Sequence, residues 1–197
     1  MDKQLIISVG REYGSGGHVI AQRLADRYGL PLYDRNLLKE LAAKKNLNAE
    51  ELEAFDEVKR NRFLSRTVKS MNSSPEYNVA ALQFEYLKEK AEKGESFVIV
   101  GRCAETILRE YPAMISIFVL GDREAKVERI MRIYGKHRSE AERKCDEIDK
   151  ARKQYHNSYC KGKWGDSRNY DISINSSRLG IDRTVGILSQ YIDERRK

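Results

Sequence analysis

The sequence is defined first by what it has little of. Three prolines in 197 residues leave no Pro-rich linker, and no internal repeat or low-complexity tract divides the chain into an array. Its three cysteines, Cys103, Cys145 and Cys160, are odd in number, and no pair has the close spacing of a zinc knuckle or a redox motif. That sets aside a disulfide scaffold, and reduced thiols in a cytoplasm are the plain reading. No apolar stretch approaches the roughly 18 residues of a membrane span. The N-terminal Met1-Asp2-Lys3-Gln4 runs straight into a strand-like segment. The expectation is a soluble, cytoplasmic chain with no membrane partner.

Charge is plentiful and uneven. The 37 Lys and Arg exceed the 30 Asp and Glu by seven, a basic excess that suits an anionic partner such as nucleotide phosphates or nucleic acid. Segment 123–163 alone holds 13 Lys or Arg against 7 Asp or Glu, so most of the excess sits there. It reads as one or two long helices carrying a concentrated positive field. A length of 197 residues suits one domain spanning 1–197 with a substantial core.

Four short Val- and Ile-rich runs, Leu5–Val9, Phe97–Val100, Ile115–Leu120 and Ile172–Ile174, suit strands buried on both faces of a parallel sheet. Pro31-Leu32-Tyr33 is a candidate fifth. Helical faces lie between them: Val19, Ile20, Leu24 and Tyr28; then Leu37, Leu38 and Leu41; then Val79, Leu82, Tyr86 and Leu87. Asn48 with Glu51, and Ser139 with Glu142, have capping-box spacing, and Gly94, Gly135 and Gly180 are placed to close or separate elements. The alternation argues for a doubly wound α/β domain.

After the first apolar run comes GREYGSGGHVIA, residues 10–21. Phosphate oxygens are best held by several backbone N–H groups at the positive end of a helix, and glycine allows the dihedrals and close approach this needs. The strict pattern G-x-x-x-x-G-K-[ST] is not met. With Gly17 as its second glycine, Glu12 stands for the first, His18 for lysine and Val19 for Ser or Thr. A structural glycine turn is the alternative. Arg11 offers another cation for phosphate oxygens.

Five pieces read together, GREYGSGGHVIA, LYDRNLL (32–38), VIVGRCA (98–104), IDKARKQYHNSYCKGKWGD (148–166) and NYDISINSSRLG (169–180), resemble the cytidylate kinase-like family, a branch of the P-loop nucleoside monophosphate kinases. The resemblance implies a three-layer α/β/α P-loop kinase fold with a central parallel sheet and a helical arginine-rich lid. It implies transfer of the ATP γ-phosphoryl to a nucleoside monophosphate, CMP or dCMP first, with Mg2+. On this reading Arg11, Gly14, Ser15, Gly16, Gly17 and His18, with Asn175 and Ser176 near the adenine, bind ATP. Gly17 falls where standard cytidylate kinases carry lysine. Asp34, Arg35, Gly101 and Arg102 bind the acceptor, and Arg129, Arg132, Asp149 and Arg152 act in the lid. The acceptor region spans 34–95 and the lid 123–163. Cys103 stands where the family's G-R-D has its base-reading aspartate. No protein metal ligand is assigned.

Two other readings remain open. One is a nucleotide-binding regulator of the same fold with lost or altered catalysis. The other is a nucleic-acid binder using 123–163, where Tyr134, Tyr155 and Tyr159, with Trp164 directly after, lie among the charges, though no recognised nucleic-acid motif supports it. The least matched segment, 46–75, with Phe55, Val58, Phe63 and Leu64 as candidate buried positions, could be an acceptor-binding insert or a homodimer contact.

Overall fold

Strands buried on both faces need helices on both sides and neighbours on both edges. In the computed structural model, which describes residues 3–34, 36–45, 50 and 75–197, five strands meet that requirement. They are β1 (Ile6–Arg11), β2 (Leu32–Tyr33), β3 (Phe97–Val100), β4 (Met114–Leu120) and β5 (Ile172–Asn175), all parallel in the order β2-β3-β1-β4-β5. Central β1 pairs Ile6–Val9 with Phe97–Val100 on one side and Ile6–Arg11 with Met114–Val119 on the other. The described helices are α1 (Gly17–Tyr28), α2 (Asn36–Lys45), α3 (Pro75–Glu92), α4 (Ala104–Ile107), α5 (Arg123–Tyr134), α6 (Arg138–Tyr159) and α7 (Ser176–Arg195).

Strand alternation splits the core into two layers. Leu5, Ile7 and Val9 face Ile20 and Leu24 of α1 and Leu188 and Ile192 of α7. Ile6, Phe97 and Ile99 face Leu37 and Leu41 of α2 and Tyr86 and Leu87 of α3. The result is the expected three-layer α/β/α arrangement, including the short strand at Leu32–Tyr33. The charged segment forms α5 and α6, joined just after Gly135, with a small core of its own from Val127, Ile130, Ala141 and Cys145. No described helix is long and apolar enough to cross a membrane.

Local punctuation differs in places. Val19 is 37% exposed in the first turn of α1, off the buried stripe of Ile20, Ala21, Leu24 and Ala25. The Ser139 box does not open α6. The helix begins at Arg138 after His137, without a side-chain cap, because Arg138 instead ion-pairs with Glu124 on α5 and with Glu142 one turn on. Gly94 and Gly135 follow α3 and α5 with left-handed φ of 74° and 61°. Gly180, at φ 75°, divides α7 at a kink. The Asn48–Glu51 box and Phe55, Val58, Phe63 and Leu64 lie outside the described residues.

Leu24 is fully buried between α1 and the sheet. Leu24→Ala is expected to lower unfolding free energy by about 2–5 kcal/mol in a urea titration monitored by circular dichroism.

Candidate active site

The chain leaves β1 at Arg11 and must reverse within five residues to start α1. Gly14 and Gly16 make the turn at φ 82° and 79°, and Gly16 is the N-cap without any side-chain cap. A Cβ on Gly14 would stand 2.8 Å from the Lys126 carbonyl oxygen. Ser15 braces the turn from within: its hydroxyl donates to the Glu12 carbonyl at 2.8 Å and accepts from the Gly17 N–H at 3.3 Å. The remaining N–H groups of the first turn of α1 have no partner inside the helix and sit at its positive end.

This turn borders a crevice of about 1000 Å³. The crevice opens at the carboxyl ends of β1 and β3, where ligands of open α/β sheets bind. Its walls include Gly14, Gly16, Gly17, Asp34, the Gly101–Cys103 turn and one face each of α5 and α6. Gly101, Arg102 and Cys103 carry φ of 77°, 60° and 57°, three left-handed residues in a row of which two are not glycine. Such backbone costs about 1–3 kcal/mol per residue and persists only where the surroundings fix it.

A half-buried ionic cluster ties the glycine turn to both helices of the charged hairpin. The Lys126 ammonium on α5 lies 2.9 Å from Glu12 and 3.3 Å from Asp149 on α6. Asp149 also accepts the Tyr13 N–H at 2.6 Å, and Glu12 accepts the Gly121 N–H at 3.1 Å. Burial alone would lower the Lys126 pKa, but its two carboxylate partners outweigh it and raise it. On Asp149 burial wins and lifts the carboxyl above its ordinary range, against the Tyr13 N–H and Lys126.

The arginines take distinct places. Arg152 donates to the Arg11 carbonyl at 3.1 Å, lies over the Tyr13 ring at 5.7 Å and approaches Asp149 at 3.7 Å. The Arg129 guanidinium carbon stands 3.4 Å from where a Gly16 Cβ would be, directly at the opening of α1. Burial, and then the charge of Arg132, push the Arg129 pKa down, and it has no carboxylate partner among the described residues. Arg132 itself does not join the site. Although positions three apart lie on neighbouring parts of one helix face, Arg132 is exposed and outside the crevice wall, while Arg129 is packed against the opening of α1. Arg11 fills the space a side chain at position 17 would need, and its guanidinium lies against Gly101.

Other expected residues meet partners of a different kind. His18 pairs with Asp34 at 2.8 Å, and Asp34 also accepts the Asn36 N–H at the start of α2. Arg35 lies outside the described residues. Asn175 caps α7 by accepting the Ser177 N–H and donates to Asp122, and neither it nor Ser176 lines the crevice. Ser176 is buried and donates to the Ser15 carbonyl, supporting the turn from below. Trp164 packs edge-on to Phe118, centroids 5.3 Å apart.

At the crevice floor, His156 and Glu105 form a buried pair at 2.7 Å. Burial would depress the His156 pKa, but hydrogen bonds to Cys160 and Glu105 outweigh it and raise it to about 10. A hydrogen bond from Cys103 and another from His156 lower the Cys160 thiol to about 5, against burial. Lys126, Glu12 and Glu105 were not singled out from the sequence. The available signals were slight: Glu12 stands where the strict loop pattern has glycine, and Lys126 lies three residues before Arg129 on the same helix.

A profile of the cytidylate kinase-like family matches residues 6–178. A curated cytidylate kinase from Methanopyrus kandleri is 26% identical over 199 aligned positions, covering 96% of this chain and 93% of the relative. A crystal structure of an uncharacterised protein from Eubacterium ventriosum superposes with a TM-score of 0.77 at 40% identity, over 96% of this chain and 99% of that one. The shikimate kinase of Bacteroides thetaiotaomicron shares the fold, with a TM-score of 0.57 at 17% identity over 96% and 98% of the two chains.

Gly14→Ala forces a side chain onto a left-handed backbone beside the Lys126 carbonyl. We expect ATP affinity to fall about tenfold or more, since about 1–3 kcal/mol of strain falls on the turn. Isothermal titration with ATP, beside a melting curve showing the fold intact, measures this.

Proposed function

The chain belongs to the cytidylate kinase-like family, and from that premise and the crevice geometry we propose that this P-loop kinase transfers the γ-phosphoryl of ATP to a nucleoside monophosphate, CMP or dCMP first, in the cytoplasm. The observation that carries the reading is Arg129. A partly buried guanidinium without a carboxylate partner among the described residues, set at the positive end of α1 and near a second arginine, is unfavourable unless an anion occupies the gap. Polyphosphate bound by the first-turn N–H groups of α1 supplies that anion.

The residues then divide the work. Gly14, Gly16 and Gly17 cradle phosphate oxygens through backbone N–H groups. Arg11 takes over from the lysine that is missing at position 17, since its own stem fills that position's space and its guanidinium faces the acceptor turn. Arg129 and Arg152 stand over the transferred group, where phosphoryl transfer spreads negative charge over three oxygens. Arg102, with Asp34 and Arg35 of region 34–95, addresses the acceptor, while 123–163 serves as the lid within a single domain, 1–197. An acceptor phosphate oxygen attacks Pγ as the bond to the β-phosphate oxygen breaks, and ADP leaves. The acceptor is already an anion, so no carboxylate base is needed. Asp149 acts by positioning, because its oxygens are engaged by the Tyr13 N–H and Lys126.

Magnesium fits this crevice as an ion carried by the nucleotide. With the missing lysine at position 17, the next position, where a strict P-loop would offer a hydroxyl, is His18, and Glu12 and Asp149 are engaged by Lys126. Mg2+ keeps several waters and binds readily through phosphates, so little is asked of the protein. When bound it neutralises β- and γ-phosphate charge.

The acceptor is tested with a coupled ADP-release assay over CMP, dCMP, UMP, AMP, shikimate and gluconate. CMP or dCMP is expected to give the highest kcat/KM, and turnover confined to a non-nucleotide acceptor overturns the nucleotide assignment. ATP binding without turnover on any acceptor makes the protein a nucleotide-binding regulator. Arg152→Ala is expected to lower kcat about 10²–10³-fold, the loss typical of one charge-stabilising donor. An Arg11→Ala variant with unchanged ATP affinity and turnover removes Arg11 from the site and leaves a cradle of backbone alone.

A further inference from the structure

The cluster beneath the acceptor turn has chemistry that phosphoryl transfer does not use. The Glu105 carboxylate oxygen, the His156 imidazole nitrogen and the Cys160 sulfur all lie within 4.8 Å of one another, and all three residues are buried. His156 and Cys160 stand four residues apart at the end of α6, one helical turn, so their side chains meet on one face. Glu105 comes from α4, directly after the strained Gly101–Cys103 turn. We propose that Glu105, His156 and Cys160 form a binding site for a zinc-class divalent cation that clamps the end of α6 to the acceptor turn.

The donor set points to the metal. One thiolate, one imidazole and one carboxylate are the three ligand types zinc takes, whereas a sulfur ligand disfavours magnesium and calcium. Two anionic donors and one neutral donor also balance a charge of two. With metal–ligand bonds of about 2.0–2.3 Å, tetrahedral zinc sets its ligand atoms roughly 3.3–3.8 Å apart. The cluster's ligand atoms lie between 2.7 Å and at most 4.8 Å apart, a range that brackets this spacing, and the 2.7 Å His156–Glu105 hydrogen bond would open to admit the ion.

The surroundings suit the role. The His156 Nδ1 lies 3.3 Å from the Asn157 Oδ1, which fixes the ring so that Nε2 faces the cluster. The buried Cys103 thiol neighbours Cys160. Cys103, Glu105 and His156 line the crevice floor, which gives the ion an entry path. Such a clamp is independent of which acceptor the crevice takes.

The test uses the full chain, stripped of metal by a chelator and titrated with Co2+ as a spectroscopic probe. One equivalent is expected to produce a sulfur-to-cobalt charge-transfer band with visible bands of tetrahedral intensity, and Zn2+ should bleach both. Cys160→Ser should remove the charge-transfer band, and Cys145→Ser, a cysteine elsewhere in the fold, should leave it. Asn157→Ala should weaken binding about 10–100-fold, as loss of such ligand-orienting partners does. Cys160→Ala replaces the serine variant if serine disturbs folding, with circular dichroism as the check. No charge-transfer band in folded wild-type protein, or a band that survives loss of Cys160, overturns the proposal.

Discussion

The arrangement of this crevice depends on one half-buried ionic contact, the Lys126 ammonium between Glu12 and Asp149. Glu12 belongs to the turn that leaves β1, Lys126 to α5 and Asp149 to α6. One cation therefore holds three chain segments that the sheet alone does not fix relative to one another. An isolated ion pair on a surface contributes little, but here the charges are largely withdrawn from water and the remaining acceptors are used by the Tyr13 and Gly121 N–H groups. Removing one partner strands the others, which makes the contact a matter of geometry more than of net stability.

That contact accounts for a departure from the strict phosphate-loop pattern. Glu12 holds the position of the first glycine because its carboxylate is needed to receive Lys126 and Gly121. Position 17 carries no side chain because the Arg11 stem occupies the space. With the hairpin fastened over the turn, Arg129 stands at the opening of α1 and Arg152 against the Arg11 carbonyl. Positive charge enters from β1 and from the hairpin, and in the proposed reaction these groups do what the absent lysine does elsewhere.

Much of the scaffold was legible in the residues. Val- and Ile-rich runs marked the buried strands because a parallel sheet covered on both faces leaves no polar position to break the run. Leu37, Leu38 and Leu41 marked the buried face of α2 because helical periodicity is local. The glycines of the turn were legible because left-handed backbone strongly favours Gly. Less could be read where partners come from far along the chain. Arg129 and Arg132 looked equivalent by spacing, and only packing turned one inward. Ser139 has the spacing of a cap, but α6 is capped two residues earlier, at His137, and its first residue, Arg138, pairs with Glu124 on the neighbouring helix. The family resemblance places Asn175 and Ser176 near the adenine, yet their polar atoms serve the α7 cap and the Ser15 carbonyl.

By itself the sequence determined which stretches become strands and helices, where the backbone must turn left-handed, and that most of the excess positive charge lies in one segment. These follow from interactions between residues a few positions apart, or from the conformational limits of single residues. Tertiary structure alone decided that Lys126 joins Glu12 to Asp149, that Arg11 fills the place of a residue-17 side chain, and that Glu105 meets His156 and Cys160. The ionic and cluster contacts close loops of 23 residues between Lys126 and Asp149, 51 between Glu105 and His156 and 114 between Glu12 and Lys126. Their formation depends on how the sheet order brings the strand ends together, which no local spacing encodes.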